Sequence, residues 1–178
     1  MVALSQAIRA AVWSRKAIKP GVELDPSLED IEVTAHRDRL ERVLGHLIQN
    51  ASEAGDNKDG RILIRTGREE GQAVIEITDN GHGMSEDFIR EQLFRPFSST
   101  KAGGMGIGAF ESREYIRELS GSIDVVSKPL AGTTFIVRLP LRAPLRSPVS
   151  LASAMEAGVA RRGDVERGDA HTDSAGRS

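Results

Sequence analysis

His46, Asn50 and Glu53 lie four and three residues apart beside an apolar helical stripe. At about 100° per residue their side chains gather on one flank of that stripe. An amide oxygen at the edge of a buried face suits Mg²⁺, a hard cation that takes oxygen ligands and shares them with phosphates. The same three residues also fit an ordinary solvated helix flank. Asp79 shares the strand parity of Ala73, Ile75 and Ile77. A carboxylate in an apolar register needs a donor if it is buried, and the exocyclic amine of adenine is one. Asp79-Asn80-Gly81 fits a hairpin turn equally well. Against the turn, no clear strand follows Gly83, only a polar segment with Pro96. Gly103, Gly104, Gly106 and Gly108 precede a helix. Glycines let a backbone approach phosphate oxygens, and a helix start supplies free N–H donors. No Gly-Lys-Ser/Thr closes the cluster as in a P-loop, and no strand leads into it. Lys101, after Ser98-Ser99-Thr100, could neutralise a terminal phosphate, or be an ordinary surface lysine. Phe94 and Phe97 could pin a loop to the core. His36, His82 and His171 show no metal-ligand spacing, and no nucleophile elbow is present.

The elements that must hold these residues follow from periodicity. Residues 1 to about 18 read as a helix, ended by Pro20-Gly21. Val22-Glu23-Leu24 and Ile31-Glu32-Val33 read as short strands around a turn at Asp25-Pro26-Ser27. The spacing of Leu40, Val43, Leu44, Leu47, Ile48 and Ala51 predicts a helix over Arg37 to Ala54, stopped by Gly55. Arg61 to Thr66 and Ala73 to Asp79 predict a hairpin joined through Gly67 to Gly71. Met84 to Gly104 is a long connection with one short helix, Ser85 to Leu93; loops of that length are usually functional. A helix from about Gly106 to Leu119 presents Gly108, Ser112, Tyr115, Ile116 and Leu119 for packing, with Gly121 as its cap. Ser122 to Ser127 and Thr133 to Leu139 are the last strands. This order predicts a two-layer α/β (α+β) sandwich, with a mixed sheet packed on helices.

Bulk composition narrows the function. The chain has 178 residues, net charge -2 and 24 basic against 26 acidic side chains. That balance gives no electrostatic case for nucleic acid or an anionic membrane. Zero cysteines exclude a disulfide framework and any thiolate zinc site. No apolar run is long enough to span a bilayer. Residues 141–178 are rich in Arg, Ala, Ser, Gly and Asp, lack aromatics, and read as a disordered tail.

In order and spacing the motifs resemble the catalytic ATP-binding domain of sensor histidine kinases, in the superfamily that includes gyrase, Hsp90 and MutL. The resemblance covers roughly residues 20–140 and implies a Bergerat-type ATP-binding fold with a mostly antiparallel sheet. It implies ATP and Mg²⁺ as cofactors. His46 to Ala54 matches the N-box, with Asn50 as the magnesium ligand. Asp79 to Met84 matches the first glycine box, with Asp79 on the adenine amine, Gly81 and Gly83 shaping the pocket, and Met84 beside them. Phe94-Arg95-Pro96-Phe97 with Ser99-Thr100-Lys101 matches the F-box region of the ATP lid. Gly104-Met105-Gly106-Ile107-Gly108 matches the second glycine box. Gly132-Thr133-Thr134-Phe135 matches the late strand motif, and Thr134 is taken as the threonine near adenine.

The resemblance also implies partners. The γ-phosphate would pass to a histidine on a dimerisation domain, and then to a response regulator. His46, Asn50 and Lys101 would carry the catalytic end. His46 stands where hydrolytic relatives carry a general-base Glu, which favours phosphotransfer over ATPase activity. No phosphoacceptor box is recognisable, so the chain reads as part of a longer protein, with residues 1–19 a remnant of the connection to the missing domain. A cytoplasmic location is expected, with any anchor of the parent outside this chain. Met105 to Tyr115 also resembles kinases associated with the PEP-CTERM/exosortase system. Two other readings are an anti-sigma-factor serine kinase and a non-enzymatic nucleotide-sensing module.

Overall fold

The computed structural model describes residues 1–15, 21–26, 31–55, 60–97 and 107–141. All of these fall within one compact unit, Met1–Pro144. The elements in chain order are β1 (Val2–Ala3), α1 (Leu4–Trp13), β2 (Val22–Leu24), β3 (Glu32–Val33), α2 (Arg37–Ala54), β4 (Ile62–Glu69), β5 (Gln72–Asp79), α3 (Glu86–Glu91), α4 (Gly108–Glu118), β6 (Ser122–Ser127) and β7 (Thr133–Pro140). The main sheet has the order β2-β4-β5-β7-β6. β2 runs parallel to β4, and every other pairing is antiparallel. The expected mixed, mostly antiparallel sheet on helices is therefore present.

Alternation explains the layering. Ile62 and Ile64 of β4, Ala73, Ile75 and Ile77 of β5, and Phe135, Val137 and Leu139 of β7 are buried. Arg65, Thr78 and Asp124 point to the other, exposed face. α2 packs on β4 and β5, and α4 packs on β6. The stripe on α2 is buried as its periodicity requires, from Leu40 to Ala51. Each fully buried Leu or Ile contributes roughly 1.5–3 kcal/mol.

Several boundaries differ from expectation for local reasons. Val2 and Ala3 pair with β3 as a small second sheet instead of joining the first helix. Val22–Leu24 and Glu32–Val33 consequently belong to different sheets. The β4–β5 hairpin turns tightly at Glu70 and Gly71, both at positive φ, so Gly67 lies within the strand. Gly55 ends α2 in an extended conformation, not a left-handed one. α4 ends in a Schellman motif: Gly121 N–H donates to Ile116 O and Ser120 N–H to Arg117 O, each at 2.9 Å. The left-handed residue there is Ser120, not Gly121.

One long-range contact fixes α4 against α2. Tyr115 accepts a hydrogen bond from His36 N–H at 2.8 Å and donates one to His36 O at 3.1 Å. Arg39 lies over the Tyr115 ring at 4.0 Å and pairs with Glu118 at 2.7 Å. The start of α2 is thus tied down by a residue on another helix, because His36 offers no side-chain cap.

Candidate nucleotide site

The register of the sheet builds the site. Cross-strand neighbours on the helix-facing side run Ile75–Val137–Ile123, then Ile77–Phe135–Val125, then Asp79–Thr133–Ser127. The first two rows are apolar and the last is polar. Asp79 is only 4% exposed, as its place in the apolar parity requires. Its Oδ1 accepts the Gly81 N–H at 2.9 Å. Its Oδ2 is buried and has no hydrogen-bond partner among the described residues. Burial pushes the carboxyl pKa up, against the opposing pull of the Gly81 and Thr133 N–H groups and of His82. An orphaned acceptor of this kind can take a donor from a ligand or a water.

The segment after Asp79 is not a hairpin turn. Asn80 Oδ1 accepts the Arg61 N–H at 2.7 Å, and His82 N–H donates to Ala54 O at 2.9 Å. A Cβ on Gly81 would overlap Ala54 O, so glycine allows the loop to lie against the end of α2. Gly83 has φ +65, and a Cβ there would overlap Lys128 O. Leu130 N–H donates to His82 O at 2.7 Å, and Met84 N–H to Ser127 Oγ at 2.8 Å. The loop is therefore held between α2 and the β6–β7 turn. Ser85 caps the short α3 that follows, its side chain accepting the Phe88 N–H.

His46 and Asn50 are half-buried on α2. A Cβ on Gly108 would lie 3.3 Å from His46 Cγ, so the start of α4 rests against the imidazole. Burial, and after it the charge of Arg15, hold the His46 pKa below its usual value; Glu111 opposes this and Arg42 adds to it. Glu53, on the same flank, accepts a hydrogen bond from Gln49 at 2.6 Å. Phe94 is held by Arg113, which lies 4.8 Å from its ring centre and donates to its carbonyl at 3.3 Å. Phe97, in contrast, is exposed and pins nothing within the described residues.

The structure thus brings together Asp79, Gly81, Gly83 and Met84, and sets His46 beside Gly108, with Asn50 one turn along α2. Ile107 immediately precedes α4. Lys101, Gly103, Gly104, Met105 and Gly106 lie outside the described residues, as does the segment 142–178. Thr134 is a correction. It pairs with Thr78 on the opposite face of the sheet, with 3.1 Å between their hydroxyls. The threonine beside Asp79 is Thr133, which is buried. Phe135, Val137 and Leu139 are the buried positions of β7 and Thr133 shares their parity, while the apolar Ile136 shares that of Thr134. Sequence reasoning also passed over Ser127, whose role depends on the register of β6 against β7.

The chain is similar to known proteins over this same region. Residues 35–143 match the family described as histidine kinase-, DNA gyrase B-, and HSP90-like ATPase. The chain is 41% identical over 119 residues to the C4-dicarboxylate transport sensor protein DctB of Rhizobium meliloti (strain 1021), covering 66% of this chain and 19% of DctB. It is 34% identical over 139 residues to the sensory histidine kinase/phosphatase NtrB of Vibrio alginolyticus, covering 72% of this chain and 39% of NtrB. The chain therefore spans well under half the length of these relatives. The catalytic domain of histidine kinase ThkA, solved free of nucleotide, superimposes with a TM-score of 0.68 at 27% identity, over 80% of this chain and 95% of that one. The chain belongs to this ATPase family, as the ATP-binding catalytic domain of a sensor histidine kinase.

Proposed function

We propose that this domain binds Mg·ATP and presents its γ-phosphate to a histidine on a separate dimerisation domain, from which a response regulator takes the phosphoryl group. The carrying observation is Asp79: a buried carboxylate at a strand end whose Oδ2 has no partner among the described residues. The adenine amine would donate to it. Thr133 replaces Thr134 as the neighbouring threonine. Gly81, Gly83 and Met84 would line the base end. Asn50 would hold Mg²⁺ through its amide oxygen, which suits a hard cation. Lys101, Gly104, Met105, Gly106, Ile107 and Gly108 would face the phosphates, with backbone N–H groups at the start of α4 stabilising their charge.

His46 carries an imidazole where hydrolytic relatives carry a carboxylate, and burial holds its pKa below the usual value where it rests on Gly108. Catalysis by this domain is then positioning and charge neutralisation. The site of action proposed for this domain is cytoplasmic, with any anchor of the parent outside this chain. Among the described residues no helix is long and apolar enough to cross a membrane. The finer assignment, to kinases associated with the PEP-CTERM/exosortase system, rests on Met105 to Tyr115 alone.

Incubation with γ-labelled ATP tests the proposal. We expect no label on the chain alone, and label on an added dimerisation domain from a kinase of this family. Release of inorganic phosphate without protein labelling would contradict it.

A further inference from the structure

In the polar row at the end of the sheet, Ser127 sits beside Thr133, which in turn pairs with Asp79. Ser127 Oγ meets three groups: it donates to Gly132 O at 2.8 Å, accepts the Met84 N–H at 2.8 Å, and lies 2.9 Å from Thr133 Oγ1. A serine hydroxyl has one hydrogen and two lone pairs. The carbonyl of Gly132 can only accept, so it takes the hydrogen. The Met84 N–H fills one lone pair. The contact with Thr133 is then resolved: Thr133 must donate into the second lone pair. With its only hydrogen committed, Thr133 Oγ1 can act toward anything else only as an acceptor. Its cross-strand neighbour Asp79 carries the unpartnered Oδ2.

We infer that Ser127 is a specificity-determining positioning residue, which locks Thr133 as an acceptor so that the base end of the pocket offers two acceptors and refuses a base bearing a carbonyl there. This rests on the adenine reading of Asp79. An amine at that position satisfies acceptors. A carbonyl oxygen would face acceptors without a hydrogen between them, a buried mismatch of the kind that discriminates strongly. Ser127 would act through Thr133, by setting the direction of the hydrogen bond between their hydroxyls. The same hydroxyl ties Met84, Gly132 and Thr133 together, so a purely structural role is the competing explanation.

Nucleotide selectivity separates the two. Inosine triphosphate carries a carbonyl where ATP carries its amine. Dissociation constants for Mg·ATP and Mg·inosine triphosphate are measured by calorimetry on the full chain and on Ser127→Ala, Ser127→Thr and Thr133→Val. The unaltered chain should prefer ATP. Ser127→Ala frees the Thr133 hydroxyl to donate and should lower that preference by about fivefold. Ser127→Thr keeps a hydroxyl and should restore it. Thr133→Val should also lose preference, and it decides the matter if Ser127→Ala does not fold. Equal weakening of both nucleotides in Ser127→Ala, or an unchanged ratio in Thr133→Val, would overturn the inference while leaving the adenine site standing. Failure of the unaltered chain to bind either nucleotide would overturn both.

Discussion

Asp79 carries two opposed demands. It is buried, which disfavours its charge, and one of its oxygens has no partner among the described residues. Because its folded pKa is raised, its contribution to stability is full below the unfolded value, near 4, and is lost as pH rises through the folded value. Asp79→Asn removes that titration. The stability of the unaltered domain relative to the variant should therefore increase as pH falls from about 7 and level off near 4, in melting curves recorded without nucleotide. The two threonines give a second prediction at this scale. Thr133→Val should weaken Mg·ATP binding by about tenfold through loss of a buried polar partner, whereas Thr134→Val, on the opposite face, should leave it within about twofold. Asp79 was partly legible in the sequence: its strand parity matched the apolar positions, although Asp79-Asn80-Gly81 fitted a turn equally well. Thr133 was less legible: it shares the parity of Phe135, but Ile136 gives Thr134 an apolar parity too. Ser127 was not legible, since only the pairing of β6 with β7 brings it to the site.

Among the elements, α2 does most of the positioning. It carries His46 and Asn50, its final carbonyl at Ala54 receives the His82 N–H, and its start is held by Tyr115. Tyr115→Phe should lower stability by about 1–2 kcal/mol in denaturant titrations, because His36 loses both a donor and an acceptor. Nucleotide affinity should change little. Gly83→Ala should do the reverse of a harmless change. It forces an L-residue to φ +65 and drives a Cβ into Lys128 O, so folding and nucleotide binding should both suffer. The helices and hairpin were legible because their periods are long and regular; α2 has the bounds expected for it. The fate of the two short strands was not, because Val22–Leu24 and Glu32–Val33 acquire their sheets from partners distant in sequence.

At the scale of the whole molecule, α1 is part of the packed unit. Leu4, Ala7 and Ile8 are fully buried, and α1 lies against α2. A connection to an upstream domain would therefore begin from a helix already packed on the helix that bears Asn50. Deleting residues 1–13 should cost at least about 3 kcal/mol, from the loss of two large buried side chains, Leu4 and Ile8.

A calorimetric titration of the full chain and of Asp79→Asn with Mg·ATP tests the role of Asp79 most directly. The unaltered chain should bind saturably at one site per chain, and the variant, whose amide N–H₂ would face the adenine amine, should lose affinity by about tenfold or more. Equal affinity in the two proteins, or no binding by the unaltered chain, would contradict that role.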